Sequence, residues 1–147
     1  MVSLRYLFFI ILGAVKELVE NSLDAHSTVI EIRFKDYGLE SLQVIDNGVG
    51  IPSHSFESIA MKHHTSKLSS FNDLGQVKTF GFRGEALSSL CALTDFVECI
   101  TATEDTAPKG NKIQFDNQGK LKEVQNTIAR QVSCTFILYC FIYLFNC

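Results

Sequence analysis

The stretch Ala14-Val15-Lys16-Glu17-Leu18-Val19-Glu20-Asn21-Ser22-Leu23-Asp24-Ala25 decides the reading of this chain. At about 100° per residue, Val15, Leu18, Val19, Ser22 and Leu23 fall on one broad face of a helix over residues 14–25. Glu17, Asn21 and Asp24 gather within about 60° of one another on the opposite side. Such a cluster usually means a solvated polar face. Asn, however, is a poor helix former in mid-helix, and Asn21 stands one turn from Glu17. A carboxylate and an amide so placed suit a water molecule and a hydrated Mg²⁺, a cation that prefers oxygen ligands and keeps several waters.

Downstream of this helix, residues 28–34 (TVIEIRF) alternate with Ile30, Ile32 and Phe34 on one side, which predicts a strand. Asp36-Tyr37-Gly38 is a turn signal, and residues 41–46 (SLQVID) predict a second strand. Residues 55–63 predict a short helix entered from Ser53 or Ser55, and a polar stretch then fills residues 62–80. Residues 85–93 (EALSSLCAL) predict a helix with Leu87, Leu90 and Cys91 facing inward. Residues 95–102 and 111–116 predict strands, with a turn at Asn117-Gln118-Gly119-Lys120. Helix, two strands, helices and more strands, in that order, give an α+β fold. It is a two-layer α/β sandwich with helices on one face of a mainly antiparallel sheet.

The 147 residues suffice for one domain with a core, and 46% hydrophobic with 20% charged residues is ordinary for a globular chain. A net charge of −3 gives no global attraction to DNA or acidic lipid. The five cysteines are odd in number and form no C-x-x-C pair, which argues against a zinc site or disulfide framework and for buried or free thiols. Residues 1–12 (MVSLRYLFFIIL) place Arg5 before a brief apolar run, but a strongly patterned helix follows at once, unlike a cleaved leader. Residues 135–147 (TFILYCFIYLFNC) fall short of the roughly 20 needed to span a bilayer. They read either as a buried strand or as a sticky appended tail.

Three further stretches carry chemistry. In Asp46-Asn47-Gly48-Val49-Gly50-Ile51 a carboxylate ends a strand and two glycines follow. Asn-Gly is a hairpin signal, but Pro52 would cut the return strand short. The rival reading is a purine pocket, in which Asp46 accepts a hydrogen bond from an exocyclic amine and the glycines let backbone approach a flat ring. The two readings stand level. In Gly81-Phe82-Arg83-Gly84-Glu85-Ala86-Leu87, two glycines precede a helix whose free N–H groups and dipole suit phosphate, although taken alone a plain loop-to-helix junction is the better reading. In Lys62-His63-His64-Thr65-Ser66-Lys67, the paired histidines have no Cys, Asp or Glu at ligand spacing, which argues against metal. A phosphate-facing lid or a solvated loop fits better.

In this order and spacing the motifs resemble the GHKL (Bergerat-fold) ATPases, and their wording narrows the resemblance. A-V-K-E-L-V-E-N-S-L-D-A, V-I-D-N-G-V-G-I, K-H-H-T-S-K and F-G-F-R-G-E-A-L-S-S-L-C-A-L resemble MutL homologues of the eukaryotic post-meiotic-segregation branch, over about Ala14 to Gln131. The resemblance implies an N-terminal ATPase module of DNA mismatch repair, using ATP and Mg²⁺. It implies Glu17 as the general base and Asn21 as the Mg²⁺ ligand. It puts Asp46 on the adenine amine, Gly48 and Gly50 around that pocket, and Thr65, Ser66 and Lys67 in an ATP lid. Gly81, Phe82, Arg83 and Gly84 would run along the phosphates. It further implies a nuclear protein that pairs with another MutL homologue, works with mismatch-recognition proteins, contacts DNA in its full-length form and has no membrane partner.

The chain also departs from the pattern. Relatives carry a segment ending in something like I-A-A-G-E-V before the first helix, where this chain has MVSLRYLFFIIL. They continue after a T-A-R-Q-like stretch into Gly-Thr-Thr-Val, which completes the adenine side of the pocket. Here Ile128-Ala129-Arg130-Gln131 leads into Val132-Ser133-Cys134-Thr135. The domain that supplies a lysine to the γ-phosphate in relatives, and the dimerisation and endonuclease region, are not in this sequence. The expected organisation is an apolar leader over 1–12, a partial ATPase domain over 13–131 and an apolar tail over 132–147, with both boundary changes resembling translated non-coding sequence or an incomplete gene model. A hydrolysing module, a nucleotide-binding or interaction fragment without turnover, and an unstable fold all stay open. Relatives have Gly where this chain has His26, so His26 is expected to close the helix in left-handed conformation.

Overall fold

The computed structural model describes residues 4–61, 86–128 and 131–139. Helix α1 spans Leu4–Asp24 and starts ten residues before the expected helix, because nothing in the apolar run ahead of Gly13 breaks a helix. Strand β1 (Ile30–Lys35) and β2 (Ser41–Asp46) flank a turn at Asp36–Gly38. After the 3₁₀ helix Ser53–Ser55 come α2 (Ala86–Leu93) and strands β3 (Phe96–Ala102), β4 (Lys109–Phe115), β5 (Leu121–Ile128) and β6 (Ser133–Tyr139). The helix predicted over 55–63 is corrected over its described part: residues 55–61 make mostly 3₁₀-type turns, with Met61 N–H to Ser58 O at 3.1 Å and a single α-type bond, Ile59 N–H to Ser55 O at 3.1 Å, while residues 62 and 63 lie outside the described residues.

The strands form one six-stranded sheet in the order β1-β2-β6-β3-β4-β5, with every pair antiparallel. The apolar segment read either as a buried strand or as a tail therefore supplies a central strand between β2 and β3. Its register aligns side chains into rows across the sheet. Leu42, Leu138, Val97 and Phe115 make one row; Val44, Phe136, Cys99 and Ile113 make the next. All eight are buried, and α1 and α2 pack against them through Ile11, Ala14, Leu18, Leu87, Leu90 and Cys91. Full burial of a side chain such as Leu138 contributes about 1.5–3 kcal/mol. One residue pair further along, the row turns polar: Asp46, Cys134, Thr101 and Asn111.

The buried stripe of α1 is Ile11, Ala14, Leu18 and Ser22, with Val15 and Val19 half-buried and Leu23 exposed at 45%. This rotates the expected face and corrects the place given to Leu23. It also brings Asn21 to within about 65° of the buried stripe's centre, with Glu17 next to it, rather than opposite it. Both are half-buried. The alternation of β1 is present, but β1 is a sheet edge: Ile30 packs against the core while Ile32 and Phe34 stay exposed.

Candidate functional site

Four segments meet at the polar row. Helix α1 ends in a Schellman closure: Ser27 N–H donates to Ser22 O at 3.1 Å and His26 N–H to Leu23 O at 3.0 Å. His26 takes the left-handed conformation expected of it, with φ +60°. The loop after β2 docks on this closure. Val49 N–H donates to Ala25 O at 3.1 Å, and Asn47 Oδ1 accepts from Thr28 N–H and Val29 N–H, each at 2.9 Å. Asn47 thus uses its side chain to pin the loop to the residues leading into β1, and no hairpin forms there. The level choice between hairpin and pocket resolves against the hairpin.

The two glycines are needed for this docking. A Cβ on Gly48 would lie 2.7 Å from both Ala25 O and Ser27 Oγ. Gly50 has φ +75°, and a Cβ there would lie 2.2 Å from Ala102 O. Thr101 secures the far side: its Oγ1 accepts from Ile51 N–H at 2.8 Å and donates to Ser133 O at 3.1 Å, joining the loop, β3 and β6.

Asp46 lies at the centre, 5% exposed. Its Oδ2 accepts from Ser22 Oγ–H at 2.7 Å, and its Oδ1 from Gly48 N–H at 2.9 Å. An ionised carboxylate has about four acceptor positions, so these two bonds leave room to accept from a further donor. Ser27 Oγ, next to the glycine loop, is buried and has no hydrogen-bond partner among the described residues. A buried polar atom of this kind calls for an explanation, and a bound group is one. Two buried thiols titrate above their ordinary range. Burial, with Asp116 adding to it, pushes Cys91 up to about 12. Cys134 is raised chiefly by the Cys99 thiol, whose sulfur is 3.5 Å away, and then by burial.

Of the residues singled out in the sequence, Glu17, Asn21, Asp46, Gly48 and Gly50 lie on α1, the end of β2 and the loop after it. Thr65, Ser66, Lys67, Gly81, Phe82, Arg83 and Gly84, with Lys62, His63 and His64, lie outside the described residues. Ser22, Asn47 and Thr101 were not assigned individual roles from the sequence. Ser22 carried a signal, since a hydroxyl in an apolar stripe must find a partner. Thr101 carried none.

A model of the family described as histidine kinase-, DNA gyrase B- and HSP90-like ATPases matches residues 10–135. The fission-yeast (Schizosaccharomyces pombe) DNA mismatch repair protein pms1 is 57% identical over 111 residues, covering 76% of this chain. The chain spans 14% of that protein's length. Among solved structures, the N-terminal domain of a DNA repair protein superposes with TM-score 0.71 at 42% identity, over 89% of this chain and 36% of that one. The Aquifex aeolicus MutL ATPase domain complexed with ADP gives TM-score 0.57 at 25% identity, over 88% of this chain and 42% of that one. The antiparallel sheet, the glycine loop docked beside a buried aspartate, and this degree of identity make the chain a member of the histidine kinase-, gyrase B- and HSP90-like ATPase family, in its MutL-type, post-meiotic-segregation branch.

Proposed function

We propose that this chain binds ATP and directs a water molecule onto its terminal phosphate, as the nucleotide module of a MutL homologue in DNA mismatch repair. The observation that carries this reading is the buried Asp46 carboxylate, fixed by Ser22 and Gly48, with acceptor capacity left at the glycine loop. That arrangement suits an adenine amine, and Gly48 and Gly50 let the loop seat closely against Ala25 and Ala102 beside the carboxylate. The ADP complex of the Aquifex MutL ATPase domain supports the choice of ligand.

In this reading Glu17 takes the proton of the attacking water while the new P–O bond forms and the bond to the ADP oxygen breaks. Its half-buried place beside the core stripe suits that role better than a solvated helix face would. Asn21, one turn on, offers a hard oxygen donor of the kind Mg²⁺ takes, and would hold the ion. When bound, that ion neutralises phosphate charge. Thr65, Ser66 and Lys67 would close over the nucleotide, and Gly81, Phe82, Arg83 and Gly84 would line its phosphates through backbone N–H groups. The module would run from residue 13, past the expected end at 131, to include β6, which joins β2 to β3 in its sheet. Its setting is the nucleus, with a second MutL homologue as partner, and DNA and mismatch-recognition proteins engaged by the longer protein. Among the described residues no helix is long and apolar enough to cross a membrane.

Phosphate release by the purified chain, compared with Glu17→Ala, tests this. The expected result is turnover in the parent and a loss of about 100-fold or more in Glu17→Ala, with nucleotide binding retained. Equal turnover in both would remove Glu17 from the base role. Binding without turnover in the parent would assign the chain as a nucleotide-binding fragment.

A further inference from the structure

Ser22 faces the core, 3% exposed, and among the described residues its one side-chain hydrogen bond is to Asp46 Oδ2 at 2.7 Å. Its own carbonyl accepts Ser27 N–H at 3.1 Å, so the same residue closes α1 and reaches across to β2. It follows Asn21 directly and stands five residues after Glu17. One short bond therefore ties the helix that carries the proposed base and metal ligand to the strand that carries the proposed base reader. Asp46 has no other side-chain donor among the described residues; its second bond comes from the Gly48 backbone.

We infer that Ser22 is a positioning residue that sets which purines this site accepts. The inference rests on the nucleotide reading above. An ionised carboxylate only accepts; the bonds from Ser22 Oγ–H to Oδ2 and from Gly48 N–H to Oδ1 fix where the remaining acceptor positions of Asp46 point. A 6-amino purine presents a donor to it. A 6-oxo purine presents an oxygen and leaves two acceptors facing each other, which a buried site penalises strongly. Without the Ser22 hydroxyl the carboxylate is free to turn about its side-chain torsion, and a water molecule or the purine can occupy the place of the lost donor. Discrimination then falls more than overall affinity does.

The test measures binding of a non-hydrolysable ATP analogue and the matching GTP analogue, each with Mg²⁺, to the parent chain, Ser22→Ala and Ser22→Thr. The parent is expected to prefer the adenine compound. Ser22→Ala should reduce that preference about tenfold, the scale of one hydrogen bond to a charged group, and Ser22→Thr should restore most of it by returning the hydroxyl. A general loosening of the fold would weaken both nucleotides together and leave their ratio unchanged. Should Ser22→Ala fail to fold, Ser22→Cys keeps the volume and supplies a weaker donor; it should show the same fall in preference, and an unchanged preference would overturn the inference. A parent that discriminates while a folded Ser22→Ala discriminates equally overturns the assignment of Ser22 alone. A parent that binds neither nucleotide overturns the nucleotide reading itself, and this inference with it.

Discussion

Replacing Gly50 and Gly13 by alanine, one at a time, should move stability in opposite directions. At Gly50 the new Cβ meets Ala102 O at 2.2 Å, a backbone atom of β3, and the φ of +75° is one that alanine occupies only with strain. The left-handed conformation costs about 1 kcal/mol. Relief of the clash requires the loop to withdraw from β3, which breaks the Ile51 N–H bond to Thr101 Oγ1 and leaves buried polar atoms unpaired at about 1–3 kcal/mol. The sum is about 2–4 kcal/mol, or a Tm lowered by about 5–15 °C in a domain of this size. At Gly13 a Cβ meets nothing within 4 Å, and the residue lies inside α1. Alanine there should stabilise by about 0.5–1 kcal/mol and raise Tm by about 1–4 °C. Melts followed by circular dichroism measure both. A Gly50→Ala protein melting within 2 °C of the parent, on about the scale of the Gly13 effect, would refute the argument that the loop is held against β3.

His26→Gly should stabilise by about 1 kcal/mol, because glycine takes the φ of +60° at the helix closure without strain; an unchanged or lowered Tm would contradict this. Stability should also fall in alkali. The Cys91 thiol ionises near its ordinary 9.0 once unfolded but at about 12 in the fold, so its contribution is complete below about 9 and is lost as pH rises towards about 12. Denaturant midpoints measured across that range should decline, and more gently in Cys91→Ala; equal slopes would reject Cys91 as a source.

The parts of this fold legible in the sequence are those with a local period. The alternation of Ile30, Ile32 and Phe34 and the run 41–46 placed β1 and β2, and Leu87, Leu90 and Cys91 placed α2 with its inner face. Strand β5 had no individual signal: Leu121–Ile128 lies at a sheet edge with most of its residues exposed, so few apolar residues mark it. Strand β6 had the reverse problem. A continuous apolar run looks alike as a doubly covered strand or as a tail, and only its pairing with both β2 and β3 decides. On α1, Val15, Val19 and Leu23 outweigh Ala14 by hydrophobicity and turn the expected face away from the buried one, whereas the sheet takes Ala14 at close approach. Asp46, Gly48 and Gly50 were legible as a motif. What joins them to α1, the bond between Ser22 and Asp46, spans 24 positions and has no linear signature.

The most direct measurement is the melt of the purified chain with and without Mg²⁺ and a non-hydrolysable ATP analogue, repeated on Asp46→Ala. At ligand concentrations about 100 times Kd, binding should stabilise the parent by about 2.7 kcal/mol, a rise of about 5–10 °C, and the rise should vanish in Asp46→Ala. A parent whose Tm does not move, or an Asp46→Ala protein stabilised equally, would contradict the assignment of this site to adenine nucleotide.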